Sequence, residues 1–460
     1  MLQLTTLTQP ERSFYWTAPV SDSSEMTTED PLGLDYVAQQ VGLLLLPGLT
    51  TRSTRAQAYA MVLYGLDLVH RATEEFDYPP TDEARRELFE RWERFWALAT
   101  LEYRQGPLPR GDWDAMRGVR GATKAWRETG EKLPLDFQLI SRQQELGHLG
   151  AYLVPLRRSG LVVDGGIRPT PAAMEIIGSF WGEAGANKHT GRYEEFAKLV
   201  LEQDRTKFPR KHGNLTLSKV GERSRLLSLI QLHRTEQQQR LYSALFERAR
   251  DPHTFAVSQL VESATRADVL SPREVLDGAI AGQFGPISPE LQALLITARA
   301  FGDFMQLLLG SFDRAYSTID LGGWVVDRAD VVQSVFGAAQ LSELQGACRV
   351  LLDAPAAAEI RRFPMHGAAC LRLAENLVDA NASDALDLLL TYHGTVQRDR
   401  RRGASWIREQ SGKLTLGVTS YTARPDSPRY PSFKLDVVRT LLTDLGRLPF
   451  EVASSTEVAQ

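Results

Sequence analysis

Cysteine is nearly absent: the 460 residues hold two, Cys348 and Cys370. Two isolated thiols make neither a disulfide framework nor a four-ligand zinc site, so two buried thiols in a reducing compartment are expected. Histidine is scarce as well. The eight residues His70, His148, His189, His212, His233, His253, His366 and His393 are scattered, and none falls in an HExxH or HxH arrangement. No metal site and no cofactor are expected. The Gly-rich signatures GxxxxGK[ST] and GxGxxG are missing, which argues against a phosphate-cradling nucleotide loop. There is no GxSxG elbow for a nucleophilic serine either. Charge of one sign is not in excess: 53 basic against 57 acidic residues leave a net charge of −4 and a pI near 6.1. Any contact with nucleic acid must then come from local basic patches. Long apolar runs are missing too. Runs such as Val41 to Leu46 are far short of the roughly 20 residues that span a bilayer. The first residues, MLQLTTLTQPERSFYW, lack a basic stretch followed by an apolar core. The chain is therefore expected to be cytoplasmic, with no membrane partner.

What is present is apolar material, mostly in helical register. Hydrophobic residues make up 43% and charged residues 24%, enough for several cores, and the length suits about two to four domains. The patterning predicts a mainly α, multidomain protein of α+β type, with a small C-terminal β hairpin. Residues 1–30 read as a mobile arm, 31–134 as a helical domain, 135–186 as a separate module and 187–215 as a basic linker. Residues 216–400 read as a second helical domain, and 401–460 as a region of hairpin and helix.

The most strongly patterned stretch is Leu32 to Val69. Leu34, Val37, Ala38, Val41, Leu44 and Leu45 follow i, i+3, i+4, i+7 spacing, and Pro47-Gly48 stops that helix. Thr50, Thr51, Ser53 and Thr54 offer hydroxyl caps for the next helix, whose apolar face is Ala56, Tyr59, Ala60, Leu63 and Tyr64. Arg52 and Arg55 sit at this turn. They are read as solvated, with an anion at the helix N-terminus as the alternative. A third helix is expected over 82–103, a short one through Trp126 after a break at Gly118-Val119-Arg120-Gly121, another over 141–159, and a final amphipathic one from Leu435 to Leu445, ending at Gly446. Ser271-Pro272 and Ser288-Pro289 mark further helix starts. Ala404 to Arg408 and Lys413 to Thr419 read as strands around a Ser411-Gly412 turn.

Leu149 to Phe180 reads as helix, strand, Gly-Gly turn at Asp164-Gly165-Gly166, strand, Thr170-Pro171, helix. GAYLVPLRRSGLVV resembles the last core helix and first wing strand of a winged-helix domain, and IRPTPAAMEII its second wing strand and following helix. That resemblance, over about forty residues, implies phosphate or groove contacts from Arg142, Arg157, Arg158 and Arg168. Winged helices also serve as protein-packing modules, and that alternative stays open.

Tyr392 to Lys413 is the second basic constellation. Arg398, Arg400, Arg401, Arg402, Arg408 and Lys413 face only Asp399 and Glu409. Arginines beside an aromatic can hold phosphates while the ring, here Trp406, stacks on a base. The other reading is a solvated helix end whose cations offset the dipole. His393 nearby is read as structural, with acid–base chemistry as the alternative.

Leu32-Gly33, Pro47-Gly48, Thr50-Thr51 and Thr54-Arg55-Ala56 with Tyr59 resemble a group of uncharacterised bacterial proteins carrying a "PG-[ST]-T…TRAxxY" motif. The chain departs from that group at Leu45 and Leu46, where a bulky aromatic would stand. The resemblance covers about the first 125 residues and implies an accessory role beside DNA restriction or anti-phage (antiviral defence) genes. Together these observations predict a DNA-binding, non-catalytic component of a bacterial defence or DNA-processing system, acting with other proteins of that system. The alternatives are a nuclease or nucleotide-processing enzyme with an unrecognised site, and a helical scaffold or protein-interaction subunit.

Overall fold

The computed structural model describes residues 30–104, 106–108, 116–128, 135–180, 200–202, 235–399 and 404–449. They fold as α1 (Leu34–Leu45), α2 (Ala56–Glu75), α3 (Asp82–Arg104), α4 (Val119–Glu128), α5 (Gln143–Leu146), α6 (His148–Arg158), α7 (Met174–Gly178), α8 (Thr235–Leu245), α9 (Pro252–Arg266), α10 (Pro272–Ile280) and α11 (Pro289–Leu321). Then come β1 (Val325–Asp327), α12 (Arg328–Val335), α13 (Ala338–Leu352), α14 (Ala357–Arg361), α15 (Gly367–Leu377), α16 (Ala382–Asp399), β2 (Ile407–Gln410), β3 (Lys413–Leu416) and α17 (Leu435–Asp444). The protein is thus mainly helical with a small sheet, as the patterning predicts. The chain divides into two compact units. The larger is Gln39–Arg299 with Ser432–Gln460, and the smaller is Met1–Ala38 with Ala300–Pro431.

The larger unit is built around α2. Ala56 through Leu66 are buried without a break, so this helix is covered on every side over its first three turns. An all-round apolar sequence demands such a central place, because any exposed face would leave apolar surface in water. Gly65 lies where α3 crosses it. A Cβ there would sit 2.3 Å from the indole of Trp92, whose ring nitrogen donates to the Met61 carbonyl at 3.2 Å. Trp92 and Trp96 are fully buried, and burying each ring stabilises the fold by about 2–3 kcal/mol.

The predicted helix over 141–159 is broken at Gly147 into α5 and α6. The cause is Glu93 on α3. Its carboxylate accepts the His148 backbone N–H at 2.6 Å, the His148 ring Nδ1–H at 2.7 Å and the Gln143 amide at 2.7 Å. A carboxylate holding the first amide of α6 replaces the bond that would have continued the helix. The hairpin after Gly160 is present as a single antiparallel bridge, Val162 to Pro169, with Gly165 at φ +73°. Thr170 does not cap the next helix. Its hydroxyl donates to the Gly160 carbonyl at 2.7 Å, and Pro171–Ala173 form a 3₁₀ turn before α7.

The turn at Pro47-Gly48 is held by the far end of the chain. The Lys434 amine, on the residue before α17, donates to the Leu49 carbonyl at 2.7 Å and the Leu46 carbonyl at 3.3 Å. At the other end of α17, Asp444 accepts from the Arg55 guanidinium at 2.9 and 3.0 Å and from the Ala56 amide at 2.9 Å. One short helix thus places a donor on the carbonyls that follow α1 and a carboxylate on the first amide of α2. Both residues are at the wrong ends for the dipole of α17 itself. Lys434 also adopts left-handed φ of +67°, next to Phe433 at +49°. These local costs are offset by the dipoles and orphan groups of the two hairpin helices.

In the smaller unit, α11 carries the core. Phe301, Phe304, Met305, Leu308, Phe312, Ala315, Tyr316 and Ile319 form one buried stripe at helical spacing. This helix is long and apolar enough to cross a membrane, yet 61% of its most apolar window is buried inside the protein. The sheet is antiparallel in the order β1-β3-β2. Ser411 (φ +53°) and Gly412 (φ +75°) both take the left-handed conformation of a two-residue hairpin turn, as their sequence predicts. The edge strand β1 is an addition, since that segment was expected within a run of helices. Cys348 and Cys370 are buried free thiols, and burial pushes the Cys348 pKa up to about 12.

Candidate nucleic-acid interface

The residues singled out from the sequence meet different fates. Arg157 is used inside the fold: its Nε donates to the Gly166 carbonyl at 3.0 Å, with Nη2 on the same oxygen, so it ties α6 to the hairpin turn. Arg158, the next residue and the last of α6, points outward and has no ion pair or hydrogen bond with a described residue. Arg168 is exposed on the returning arm of the hairpin. Burial, and then the positive charges of Arg85 and Arg168, lower the pKa of His70 on α2, so cations gather around that imidazole. Arg142 is exposed before α5, in a left-handed conformation (φ +47°), and pairs with Glu145 at 3.1 Å. It precedes α5 while Arg158 ends α6, and α6 alone is roughly 16 Å long, so the four arginines form no single cluster.

The second constellation changes more. Trp406 is only 1% exposed. It packs at 5.2 Å from Tyr421 and 5.3 Å from His393, so the expected base-stacking platform is a core residue instead. The reason is geometric. The first residue before a strand that pairs into the sheet must place its ring on one face or the other, and here the aromatic side of α11 lies under it, with Phe312 at 6.1 Å. Arg398 is exposed on the last turn of α16 and donates to Thr395 at 3.1 Å. Lys413 is half-buried on β3, opposite Asp327 of β1 and Gln410 of β2. Arg400, Arg401 and Arg402 lie outside the described residues, as does most of the predicted basic linker.

Of the three buried histidines, His148, His366 and His393, two are engaged on both ring nitrogens. His393 Nδ1 faces the Pro31 carbonyl at 2.8 Å and its Nε2 accepts the Trp406 amide at 2.9 Å. These two bonds require the neutral tautomer with the proton on Nδ1. His148 is held by Glu93 on one nitrogen and by the Arg117 amide, at 3.4 Å, on the other. With both ring nitrogens engaged, neither imidazole has a lone pair or proton left for a substrate. Among the described residues, no group of three or more His, Cys, Asp or Glu side chains is placed to hold a metal ion. The anion position at the start of α2 is likewise filled, by Asp444. Burial pushes the Asp444 pKa up, against the downward pull of Arg55 and the Ala56 amide.

A basic surface that sequence reading passed over lies on α4. Val119, Ala122 and Ala125 are buried, and Trp126 donates to Glu102 at 2.8 Å. The opposite side presents Arg120, Lys124 and Arg127 at i, i+4 and i+7, all exposed. They line a cavity of about 540 Å³ together with Thr123, Pro107 and Leu108, and among the described residues Glu128 is the one acid on its wall. The spacing was visible in the sequence, but scattered cations on a short helix draw less notice than a run of arginines.

No family model, no curated protein and no solved structure matches the chain. The chemistry of its surface therefore has to carry any functional reading.

Proposed function

We propose that the protein is a non-catalytic, nucleic-acid-binding component of a multiprotein system, with DNA as the partner and the larger unit as the contact. The α4 row carries this reading. Three cations share one exposed helical face, where they can make charge-assisted hydrogen bonds to phosphate oxygens, and the cavity beside them supplies a concave wall. The exposed Arg168 adds a further cation in the same unit. A cytoplasmic location and a place in a bacterial defence or DNA-processing system belong to the same reading, the latter through the N-terminal resemblance at Leu32 to Tyr59.

The test is duplex binding followed by fluorescence anisotropy across a salt series. Wild type should bind at about 50 mM salt and weaken steeply toward about 200 mM. Lys124→Glu with Arg127→Glu should lower affinity at least about tenfold and flatten the log–log salt slope by about two. Absence of wild-type binding at low salt overturns the reading.

A protein-interaction scaffold is the second reading. Its support is the pair Leu321 and Trp324, 89% and 53% exposed, at the end of α11. Large apolar side chains at this exposure mark contact sites more often than solvent-facing ones do.

A further inference from the structure

We propose that a cavity of about 320 Å³ in the larger unit, where the end of α6, the Pro47 turn and the start of α9 meet, binds a phosphate monoester. Its wall is made by Arg158, Arg250, His253, Asp251, Pro47 and Pro252. It shares no residue with the α4 row, so it stands whether or not that row binds DNA.

Three features make it a phosphate site. First, Arg158 has no hydrogen bond or ion pair with any described residue. Second, among the described residues Arg250 spends only its Nε, on Glu247 at 3.2 Å, and its two terminal nitrogens can turn to a ligand. Third, the Arg250 guanidinium lies against Gly160, two residues past Arg158 and at φ +68°. A Cβ at Gly160 would lie 2.3 Å from an Arg250 terminal nitrogen, so the missing side chain leaves room for the guanidinium beside the end of α6. Its planar fork matches two oxygens of a phosphate. His253 supplies a further ring donor.

The acids near the cavity are accounted for. Asp251 turns its two oxygens to Thr254, to the amide at 2.9 Å and the hydroxyl at 2.6 Å, and so caps α9. Glu247 is taken by Arg250, and Glu290 lies within electrostatic range of His253. Pro47 and Pro252 carry no backbone N–H and close the wall with apolar surface. A monoester suits this site better than a diester, because its extra negative oxygen gives both guanidiniums a full partner.

The shared ligand chemistry is a terminal phosphate, on a small molecule or on a polynucleotide end. Full-length protein is titrated calorimetrically with inorganic phosphate, then with a 5′-phosphorylated oligonucleotide and its 5′-hydroxyl twin. Inorganic phosphate should bind with a Kd on the order of 1 mM. Arg158→Gln with Arg250→Gln should weaken that binding at least about tenfold, while Lys124→Gln with Arg127→Gln should leave it within about twofold. Preference for the 5′-phosphorylated strand, lost in the Arg158/Arg250 variant, identifies a polynucleotide end as the source. Equal binding of the two strands, with phosphate binding retained, identifies a small phosphate ester. No phosphate binding at about 10 mM, or binding unchanged in the Arg158/Arg250 variant that still unfolds cooperatively, overturns the proposal.

Discussion

The turn at Pro47 and the stretch around Trp406 look alike in sequence: each sets arginines beside a feature able to hold a ligand. The fold resolves them in opposite ways. At Pro47 the chain brings its own anion, since the Asp444 carboxylate occupies the start of α2 and takes the Arg55 guanidinium as well. At Trp406 the aromatic turns inward and the local polar groups pair as neutral partners, His393 between Pro31 and the Trp406 amide. An arginine at a helix end, or an aromatic beside a basic run, is therefore no evidence of a ligand until the chain's own partners are accounted for. The surfaces that survive this test are Lys124 and Arg127 on α4 and the Arg158–Arg250 cavity.

The two regions also differ in how they resist mutation, because one buries charge and the other buries neutral hydrogen bonds. Asp444→Ala has the largest expected effect. It takes the buried carboxylate from the half-buried Arg55 guanidinium and removes the acceptor of the Ala56 amide, at a cost of about 3–5 kcal/mol in urea unfolding. A loss under about 1 kcal/mol would show that water replaces the carboxylate and that the clamp is not a buried pair. His393→Leu comes next. It leaves the Trp406 amide without its acceptor in a dry core and the Pro31 carbonyl with Gln397 alone, at 3.0 Å, for a loss of about 1–3 kcal/mol by the same measurement. A cost equal to that of Asp444→Ala would erase the distinction between the regions.

Lys434→Met has the smallest effect, and it appears as a pH dependence. Burial lowers the Lys434 pKa from 10.5 to about 7. Between those values the unfolded chain carries a proton that the folded chain does not, so wild-type stability rises with pH across this window. The penalty is fully present below about pH 7 and fades toward the unfolded value. The stability gap between wild type and Lys434→Met should therefore move by about 1–2 kcal/mol, in favour of wild type, from about pH 7 to about pH 9. A gap that stays level would place the Lys434 nitrogen in water.

Much of the fold was legible residue by residue. The apolar spacing of Leu34 to Leu45 and Ala56 to Tyr64, the Pro47-Gly48 stop, the Ser288-Pro289 start and the Ser411-Gly412 turn all appear as read. These are local events: propensity, period and turn chemistry act over a few residues. The interface was less legible. The i, i+4, i+7 row of α4 needed no structure to be seen, yet its exposure did, because the same spacing serves equally for packing against a neighbour. The edge strand β1 and the break at Gly147 were not legible, since a three-residue strand needs β3 to define it and the break needs Glu93, 55 residues before His148.

By itself, then, the sequence determined where helices start and stop, which faces are apolar and where the hairpin must turn. Only the tertiary structure decided which polar groups are spoken for. Lys434 and Asp444 lie more than 380 residues from the carbonyls and amide they satisfy, and no periodicity encodes such a pairing. It arises when apolar burial brings distant segments together and every buried donor and acceptor must then find a partner. The same rule decides function here. Arg157, Arg55 and Trp406 were consumed by the fold, and Arg158, without a partner among the described residues, became the residue to test.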